Sequence, residues 1–414
     1  MNSVTYHGLA RLMTRTYHGE DLTELGQELI QRASRPPHEG GAEVLLDLAI
    51  LLHLRGFHEM ARDLQMQALR QRQTYVLPAT RTPALRLLAL MVPGELNANT
   101  PLEFLVEDSD IELHQLFISP ELLFPSQIPE HDVAMVAVGE AEQTLPLLRA
   151  LGQALVHWPR PVLNHPARIA GLTRDGVALT LAGIPGVVAP MAQRVERQIL
   201  EVWAQEAHAF GRERGEAYPV IVRPIDSHAG TGLMKIEERE GWRDYLAQNG
   251  EQAFFVSPFV DYRSSDGLFR KYRIALVKGV PFAGHMAISD HWMVHYLNGG
   301  MEGSEQKRSE EAHFMEHFDS GFARRQADSL ALVQRALGLD YVVLDCAELQ
   351  DGRLLIFEAD SSAVVHGMDP VELFPYKRPA IQKVFRAFRQ MLEDARHTAP
   401  GLPDILRFEK DVGN

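Results

Sequence analysis

Tyr218-Pro-Val-Ile-Val-Arg-Pro-Ile-Asp-Ser-His-Ala-Gly-Thr-Gly232 is the stretch that says most about the fold of this chain. Its apolar beginning predicts a short strand, and the two glycines predict a tight turn directly after it. Such a turn leaves backbone N–H groups free to bind an anion, and glycine lets the chain approach a phosphate closely. The arginine at the end of the strand adds a positive charge. The stretch therefore predicts a phosphate-binding loop with the candidate residues Arg223, Ser227, His228, Ala229, Gly230 and Gly232.

A second informative segment, residues 339–362, predicts a β-hairpin that turns at an Asp-Gly pair. Asp345 falls on its first strand, and Glu358 and Asp360 fall two apart on its second strand, so these two share a face. Three carboxylates inside an apolar hairpin repel one another without a cation, and they suit Mg²⁺ bound together with substrate phosphates. The alternative, three solvated edge carboxylates, is less favoured because the second strand is strongly apolar.

The two segments together resemble the ATP-grasp superfamily. The resemblance is carried by V-x-R-P followed by G-x-G in the first segment and by D followed by E-x-D in the second. It extends from about residue 85 to residue 365 and implies an ATP-grasp fold of the α/β and α+β class, in which two lobes hold ATP. Glu358-Ala-Asp360 stands where the family has Glu-x-Asn, which keeps an oxygen ligand for Mg²⁺. The implied reaction converts a carboxylate into an acyl-phosphate that an amine or a thiol attacks.

Length, charge and composition predict a soluble protein of several domains. The chain has 414 residues, too many for one ordinary hydrophobic core. Its net charge of −14 disfavours non-specific binding to nucleic acid. The most apolar stretch, residues 177–192, is interrupted by glycines and prolines, so no membrane span is expected. The single cysteine, Cys346, indicates a cytoplasmic protein and is expected to be a core residue, not a nucleophile.

The N-terminal residues 1–80 are predicted to be a helical cap. Apolar residues recur at helical spacing over residues 42–69, and Gly56 divides this stretch into two helices. The small residues Ala49, Gly56, Ala61 and Ala68 resemble a tetratricopeptide-type helix pair, and a generic helical hairpin is the alternative. Such a cap is a candidate binding surface for a protein or peptide partner.

The rest of the chain divides into two further units and a tail. Residues 81–192 alternate strands with helices, which predicts a parallel sheet covered on both faces and resembles the pre-ATP-grasp domain. The resemblance assigns residues 193–395 to an ATP-grasp domain of two lobes and leaves residues 396–414 as a C-terminal tail.

The end of the second unit departs from the family pattern. Asn164-His-Pro, followed by Arg174-Asp-Gly176, resembles the family's Asn-x-Pro and Arg-Asp-Lys passage. The family lysine that contacts phosphate is replaced by Gly176. Two other residues are candidates to supply the missing charge, namely Arg174 and Lys235.

The resemblance also assigns the base-binding and catalytic residues. Residues 253–262 correspond to the hinge between the lobes, which implies that the adenine lies at Ser257, Phe259 and Val260, and the ribose at Asp261. Arg273 matches the arginine that faces the transferred phosphate, a role that suits a guanidinium group. Lys271 lies two residues earlier and shares its face of the strand, with a surface position as the alternative.

Histidines crowd the segment in which the family's substrate-binding arginine is missing. His285, His291 and His295 are predicted to contact the substrate, and Arg308 is predicted to supply the missing charge. A zinc site is the less favoured alternative, because no cysteine or carboxylate pattern accompanies these histidines.

Together these features predict an ATP- and Mg²⁺-dependent ligase that joins a small-molecule or peptide carboxylate to an amine or thiol. Two alternatives stay open. One is a kinase on the same fold, which releases a phosphorylated small molecule. The other is a tetratricopeptide-type binding protein with an inactive ATP-grasp lobe, which the missing lysine favours and the three carboxylates oppose.

Overall fold

The computed structural model describes residues 6–35, 41–205, 218–227 and 230–402, and it has a mixed α/β fold. Its strands are β1 (Thr74–Leu77), β2 (Leu85–Met91), β3 (Ile111–Phe117), β4 (Val133–Val136), β5 (Val162–Leu163), β6 (Val187–Val188), β7 (Gln193–Glu196), β8 (Val220–Pro224), β9 (Met234–Ile236), β10 (Ala253–Pro258), β11 (Phe269–Val277), β12 (Val280–Ser289), β13 (Tyr341–Glu348) and β14 (Leu354–Asp360). Its helices are α1 (Leu9–Tyr17), α2 (Thr23–Ala33), α3 (Ala42–Leu54), α4 (His58–Gln71), α5 (Leu102–Leu105), α6 (Leu145–Ala154), α7 (Pro166–Ile169), α8 (Arg174–Leu181), α9 (Arg197–Gln205), α10 (Gly241–Gln248), α11 (Glu305–Glu316), α12 (Phe322–Arg325), α13 (Ala327–Leu337) and α14 (Lys377–Ala395).

The first sheet has the strand order β1-β3-β2-β4-β5, and its strands β3, β2, β4 and β5 run parallel, as the strand–helix alternation predicts. Its central strand is covered on both faces. Leu87 and Ala89 of β2 point into one core, whereas Leu88 and Leu90 point into another. A strand buried on both faces has no polar side, which explains the continuous apolar run of β2.

The N-terminal helices pack on this sheet. Gly56 separates α3 from α4 with a φ of 82°, a left-handed backbone conformation that favours glycine. The expectation that residues 1–80 are helical is wrong at its end, because Thr74–Leu77 form β1, which pairs antiparallel with β3. The predicted small residues Ala49, Ala61 and Ala68 are buried. The tetratricopeptide resemblance of this pair stays a prediction.

Two further sheets frame a cleft. The second sheet is antiparallel with the order β7-β10-β8-β9, and the third has the order β12-β11-β13-β14-β6. The predicted hairpin of residues 339–362 is confirmed as the antiparallel pair β13–β14. Helix α14 packs between the first and third sheets, where Val384 and Phe388 share a core with Leu87 and Val343. The first and third sheets are therefore joined by a continuous apolar layer.

The buried and apolar segments of the described chain agree with their expected roles. Cys346 lies on β13 and is fully buried in the largest core, as expected for a core residue. Among the described residues, no helix combines the length and the apolar character that crossing a membrane requires.

Candidate active site

A cleft of ≈ 1050 Å³, open to solvent, lies between the second and third sheets. Strands β8 and β10 form one wall, β11 and β14 form the other, and α8 lines one side. Most of the lining is apolar, and its charged side chains are Arg174, Arg223, Lys271 and Glu358. An apolar cleft with a few convergent charges suits a ligand that has a flat apolar part and an anionic part.

A row of opposite charges crosses the third sheet beside this cleft. The strand register places Arg273 next to Asp345 and Asp345 next to Glu358. Arg273 donates from Nε and Nη2 to the two carboxylate oxygens of Asp345, at 2.8 and 3.0 Å. Glu358 Oε1 lies 3.1 Å from Nη2 of Arg174 on α8. We call Arg273, Asp345, Glu358 and Arg174 the charged row.

Side-chain cations compensate the charge of the row. Burial raises the pKa of Asp345, but the charges of Arg273 and Lys271 more than offset it and hold this pKa well below its usual range. The Lys271 ammonium lies 2.7 Å from Asp345 Oδ2. For Glu358, burial raises the pKa, but the charges of Arg174, Arg223 and Lys271 together more than offset it, so the pKa is lowered. Neighbouring cations therefore relieve the repulsion at these two carboxylates, and their predicted role as metal ligands stays a prediction.

Asp360 differs from its two partners. Burial and the charge of Glu358 raise the pKa of Asp360. The oxygens of Asp345, Glu358 and Asp360 do not all lie within 4.8 Å of one another, so the three do not form a closed metal cage in this arrangement. Their role as metal ligands stays a proposal.

An adjoining cleft has more acidic than basic side chains. Its lining contains five carboxylates and two arginines, Arg174 and Arg194, which pair with Glu358 and Glu142; the carboxylates are Glu140, Glu142, Asp226, Glu358 and Asp360. Burial and the charges of Asp226 and Glu142 raise the pKa of Glu140 to about 7. Carboxylates whose ionisation is held back by one another are the ligands that a hard divalent cation stabilises. These side chains therefore fit a Mg²⁺ ion better than the hairpin carboxylates do alone.

Sequence reasoning missed Glu140 and Asp226 as candidate ligands. Glu140 lies in the loop that follows β4, in Gly139-Glu-Ala-Glu, and Asp226 lies inside the predicted phosphate-binding loop. An acidic residue after the carboxyl end of a parallel strand is the signal that was available for Glu140.

The predicted phosphate-binding loop connects β8 to β9 and is braced by its arginine. Arg223 is buried, donates from Nε to Ser227 Oγ at 3.0 Å and also donates to the Ser227 carbonyl. Burial and the nearby charge of Arg174 lower the pKa of Arg223 to about 10. Two arginines that face one cleft favour an anion between them.

The glycines of this loop have the backbone that was expected of them. Gly230 has a φ of 79° and Gly232 a φ of 63°. A Cβ atom on Gly232 would lie 2.7 Å from the Pro224 ring, so only glycine fits there. His228 and Ala229, the other two predicted loop residues, lie outside the described residues.

Arg174 is the better placed substitute for the missing family lysine. It lines both clefts, whereas Lys235 pairs with Glu237 at 2.7 Å and lies 4.2 Å over the Phe259 ring. A side chain at Gly176 is excluded, because a Cβ atom there would lie 2.6 Å from both Gly171 O and Thr173 Oγ1. The departure from the family pattern is therefore built into the backbone of α8.

The predicted hinge residues divide into two groups. Ser257, Phe259 and Val260 line the cleft, whereas Asp261 pairs with Arg263 and borders a neighbouring open depression. The Phe259 N–H donates to the Pro219 carbonyl at 3.1 Å. This backbone N–H is therefore already paired, and the placement of the adenine at Ser257, Phe259 and Val260 stays a prediction.

Trp292 is a cleft residue that sequence reasoning missed. It lines the cleft and lies edge-on to the Phe259 ring, with the two centroids 5.8 Å apart. These two rings are candidate stacking partners for a base. Trp292 was not singled out because the histidines are the most conspicuous residues of its segment.

The predicted substrate-binding histidines do not line the cleft. His285 lies beside Arg273 on the neighbouring strand, and burial together with the charge of Arg273 lowers its pKa well below the usual value. Burial and the charge of Lys271 also lower the pKa of His295. His291 is exposed, and its Nδ1 accepts the Met293 N–H at 3.2 Å. Of the three histidines, His285 and His295 therefore lie near the charged row, and both are in the neutral form.

Arg308 does not line the cleft. Its Nη1 donates to the Met301 carbonyl at 3.1 Å and also to the Glu302 carbonyl, so it stabilises the turn before α11. The assignment of Arg308 to substrate binding stays a prediction that this arrangement does not support.

A buried polar cluster behind His285 was also missed by sequence reasoning. Lys377 is 3% exposed, and its Nζ lies 2.9 Å from Asp369 Oδ1 and 4.0 Å from the centre of the Tyr296 ring. Tyr376 donates to Glu311 at 2.7 Å in the same cluster. Nothing in the sequence marks Lys377, because a lysine at the start of a helix is usually exposed.

No protein-family model matches this sequence, and no curated protein matches it. Three solved structures are similar in fold. D-alanyl-alanine synthetase A from Vibrio cholerae O1 biovar eltor str. N16961 is 12% identical, with 77% of this chain and 100% of that chain covered and a TM-score of 0.46. VanG D-Ala:D-Ser ligase from Enterococcus faecalis is 11% identical, with coverages of 74% and 99% and a TM-score of 0.44. A RimK domain ATP-grasp protein from Sphaerobacter thermophilus DSM 20745 is 14% identical, with the same coverages and a TM-score of 0.42. At these identities and TM-scores, the chemistry of this chain must be argued from its own residues.

Proposed function

We propose that this protein is an ATP-dependent ligase of the ATP-grasp type, with ATP in the cleft between the second and third sheets. The charged row beside this cleft is the observation that carries the proposal. The apolar walls with Phe259 and Trp292 receive the base, and Arg174, Arg223 and Lys271 receive the phosphates. Arg223 is a sequence-predicted phosphate residue, Lys271 was predicted as a catalytic residue, and Arg174 is one of the two candidates for the missing charge.

The proposed reaction has two steps. An oxygen of the substrate carboxylate attacks the γ-phosphorus of ATP, the bond to the β–γ bridging oxygen breaks, and ADP leaves. An amine or thiol then attacks the acyl carbon of the acyl-phosphate, phosphate leaves, and the nucleophile loses its proton. Arg273, whose Nε and Nη2 donate to Asp345, places a fixed positive charge beside the cleft, on the side where charge develops on the phosphoryl oxygens. Asp345 orients Arg273 and Lys271 for this role by accepting from both.

We propose that Glu358 and Asp360, assisted by Glu140 and Asp226, hold Mg²⁺. The raised pKa values of Glu140 and Asp360 support this assignment, because they mark carboxylates that lack a compensating cation. When bound, the ion neutralises phosphate charge. Asp345 is the weakest of the three predicted ligands, since Arg273 and Lys271 occupy its oxygens.

The remaining predictions are carried forward as parts of this proposal. The substrates are a small-molecule or peptide carboxylate and an amine or thiol, and the N-terminal helices are the candidate surface for a larger substrate or protein partner. The division at residues 80, 192 and 395 is kept as the proposed domain plan, with β1 added to the first sheet.

The test is ADP release with ATP, Mg²⁺ and pooled carboxylates, amino acids and peptides, followed by mass analysis of the products. Hydroxylamine replaces the natural nucleophile in a parallel reaction, because it traps acyl-phosphates as hydroxamates. A ligase gives a hydroxamate with hydroxylamine and an amide or thioester with the natural nucleophile. A stable phosphorylated product without hydroxamate would show a kinase instead, and no ATP binding by calorimetry would favour the inactive binding protein.

A further inference from the structure

Three side chains of the kinds that bind metal ions lie close together where the N-terminal helices meet the first sheet. They are distant in sequence from the residues that line the cleft. His53 is at the end of α3, His58 begins α4, and Glu95 lies in the loop that follows β2. One donor atom from each of the three lies within 4.8 Å of the other two. Two imidazoles and one carboxylate are a donor set that zinc uses in proteins.

The spacing of the donor atoms fits a metal ion. Glu95 Oε2 lies 3.1 Å from His53 Nδ1 and 2.9 Å from His58 Nδ1. Zinc bonds of ~2.0–2.2 Å in a tetrahedron put neighbouring donors about 3.3 Å apart. The observed separations therefore need only a small expansion to admit the ion.

His53 supplies an independent sign of a ligand. Its side chain is only 4% exposed, and neither ring nitrogen has a hydrogen-bond partner among the described residues. Its Nδ1 approaches Glu95 but does not form a well-directed hydrogen bond with it. A buried imidazole without a partner loses hydration, and a metal bond at Nδ1 compensates for this loss.

The surroundings of Glu95 orient it as a ligand. Arg62 Nη1 donates to Glu95 Oε1 at 2.7 Å, which leaves Oε2 for the two histidines. The Gly94 N–H donates to Gln65 Oε1 at 2.9 Å and fixes the preceding residue of the loop. Such outer contacts hold a metal ligand in place. His53 and Glu95 also border a cavity, which leaves room for water at a fourth position.

We propose that His53, His58 and Glu95 bind one Zn²⁺ ion, with a fourth position open to water, and that this ion fastens α3 and α4 to the loop after β2. The three ligands come from three separate elements, so the bound ion cross-links the N-terminal helices to the first sheet. This inference is independent of the proposed ligase activity, because none of the three residues lines the cleft between the second and third sheets.

The experiment uses the full-length chain after treatment with a chelator. Zn²⁺ alone is added back, unbound metal is removed, and bound metal is counted by elemental analysis. We expect close to one ion per chain in the wild type and a rise in the melting temperature with added Zn²⁺, because the ion binds only the folded arrangement. We also expect Co²⁺ substituted at this site to show the visible d–d bands of a low-coordinate ion.

His58→Ala is the main variant, because His58 is exposed and its replacement leaves the core intact. We expect it to weaken Zn²⁺ binding by roughly a hundred-fold or more and to abolish the thermal shift, since it removes a direct ligand. Glu95→Gln should have the same effect. His157→Ala, at another exposed histidine, is the matched control and should bind like the wild type. A wild type that retains no zinc, or a His58→Ala variant that retains as much as the wild type, would overturn the proposal.

Discussion

Asp345 organises the charged side of the cleft by accepting from two cations at once. Its Oδ1 accepts from Arg273 Nε at 2.8 Å, and its Oδ2 accepts from Lys271 at 2.7 Å. A third contact, from Arg273 Nη1 to the Val364 carbonyl at 3.1 Å, fixes the plane of the guanidinium group. Only a side chain with several donors in one plane makes these contacts together.

We expect Arg273→Lys to lower kcat by about a hundred-fold or more and to change the KM for ATP only a few-fold. The lysine keeps a charge opposite Asp345 and so preserves folding, but it lacks the planar fork that donates to both Asp345 and the Val364 carbonyl and holds the charge in place for the proposed phosphoryl transfer. Steady-state kinetics of ADP release measure both constants.

Arg270→Lys is the control for this change. Arg270 lies on the same strand but pairs with Asp266 and Glu310, away from the charged row. We expect its kinetics to match the wild type. Equal losses in both variants would show that arginines on β11 act through the strand and not through the phosphoryl group.

The raised pKa of Glu140 predicts a pH-dependent stability. Its pKa moves from the ordinary 4.5 to about 7 in the folded protein. The folded state thus holds this proton more tightly than the unfolded state does. The contribution of Glu140 to the free energy of unfolding is therefore lost as the pH rises from about 4.5 through 7. We expect Glu140→Gln to melt at a higher temperature than the wild type at pH 8 and at nearly the same temperature at pH 4.5. The exposed Glu238→Gln variant is the control, and an equal difference at both pH values would contradict the assignment.

Helix α8 shows how one element alters the phosphate site. Thr173 begins it by accepting the Gly176 N–H at 3.0 Å, and this contact brings the backbone too close to admit a side chain at Gly176. Arg174, the first residue of the helix, pairs with Glu358 and lines the cleft. Helix α8 therefore carries an arginine two positions before Gly176, the position at which the resemblance leads us to expect a lysine.

We expect Gly176→Ala to destabilise the protein by about 1 kcal/mol or more, because the new Cβ atom would overlap Gly171 O and Thr173 Oγ1. The matched control is Gly152→Ala in α6, where a Cβ atom meets nothing within 4 Å. That change should stabilise the helix by about 0.5–1 kcal/mol. Denaturant unfolding measures both changes, and effects of the same sign would refute this account of α8.

At the scale of the whole molecule, the N-terminal helices share a core with the first sheet. Leu12 and Leu29 of the helices belong to the same apolar cluster as Tyr75 and Phe117 of β1 and β3. A second contact reaches the segment between β14 and α14, where His18 Nε2 lies 2.7 Å from the Met368 carbonyl. The helical part is therefore packed into the rest of the protein.

We expect Leu12→Ala to cost about 2–5 kcal/mol, because Leu12 is fully buried. All four tryptophans lie beyond residue 150, so their fluorescence reports on the rest of the molecule, whereas circular dichroism includes the N-terminal helices. Both signals should shift to lower temperature together. The exposed Ile30→Ala variant is the control. A fluorescence transition that stays in place would show that the N-terminal helices unfold on their own.

The sequence by itself determined the elements whose signals are local. The alternation and apolar runs of β2, β8 and the β13–β14 hairpin predicted these strands, and Gly56 predicted the break between α3 and α4, because backbone preference and side-chain period act within a few residues. Motif resemblance and strand period together assigned Arg223, Lys271, Arg273 and Glu358 to one site.

Only the tertiary structure decided which charges meet. Asp345 pairs with Arg273 and Lys271, Arg174 pairs with Glu358, and Glu140 lines a second cleft together with Asp360. Arg308 donates to the carbonyls of Met301 and Glu302. Pairing of this kind depends on strand register and on burial, which set the distances and the local dielectric between residues far apart in sequence. The sequence alone contains no local signal for the strand register or for the burial of these side chains.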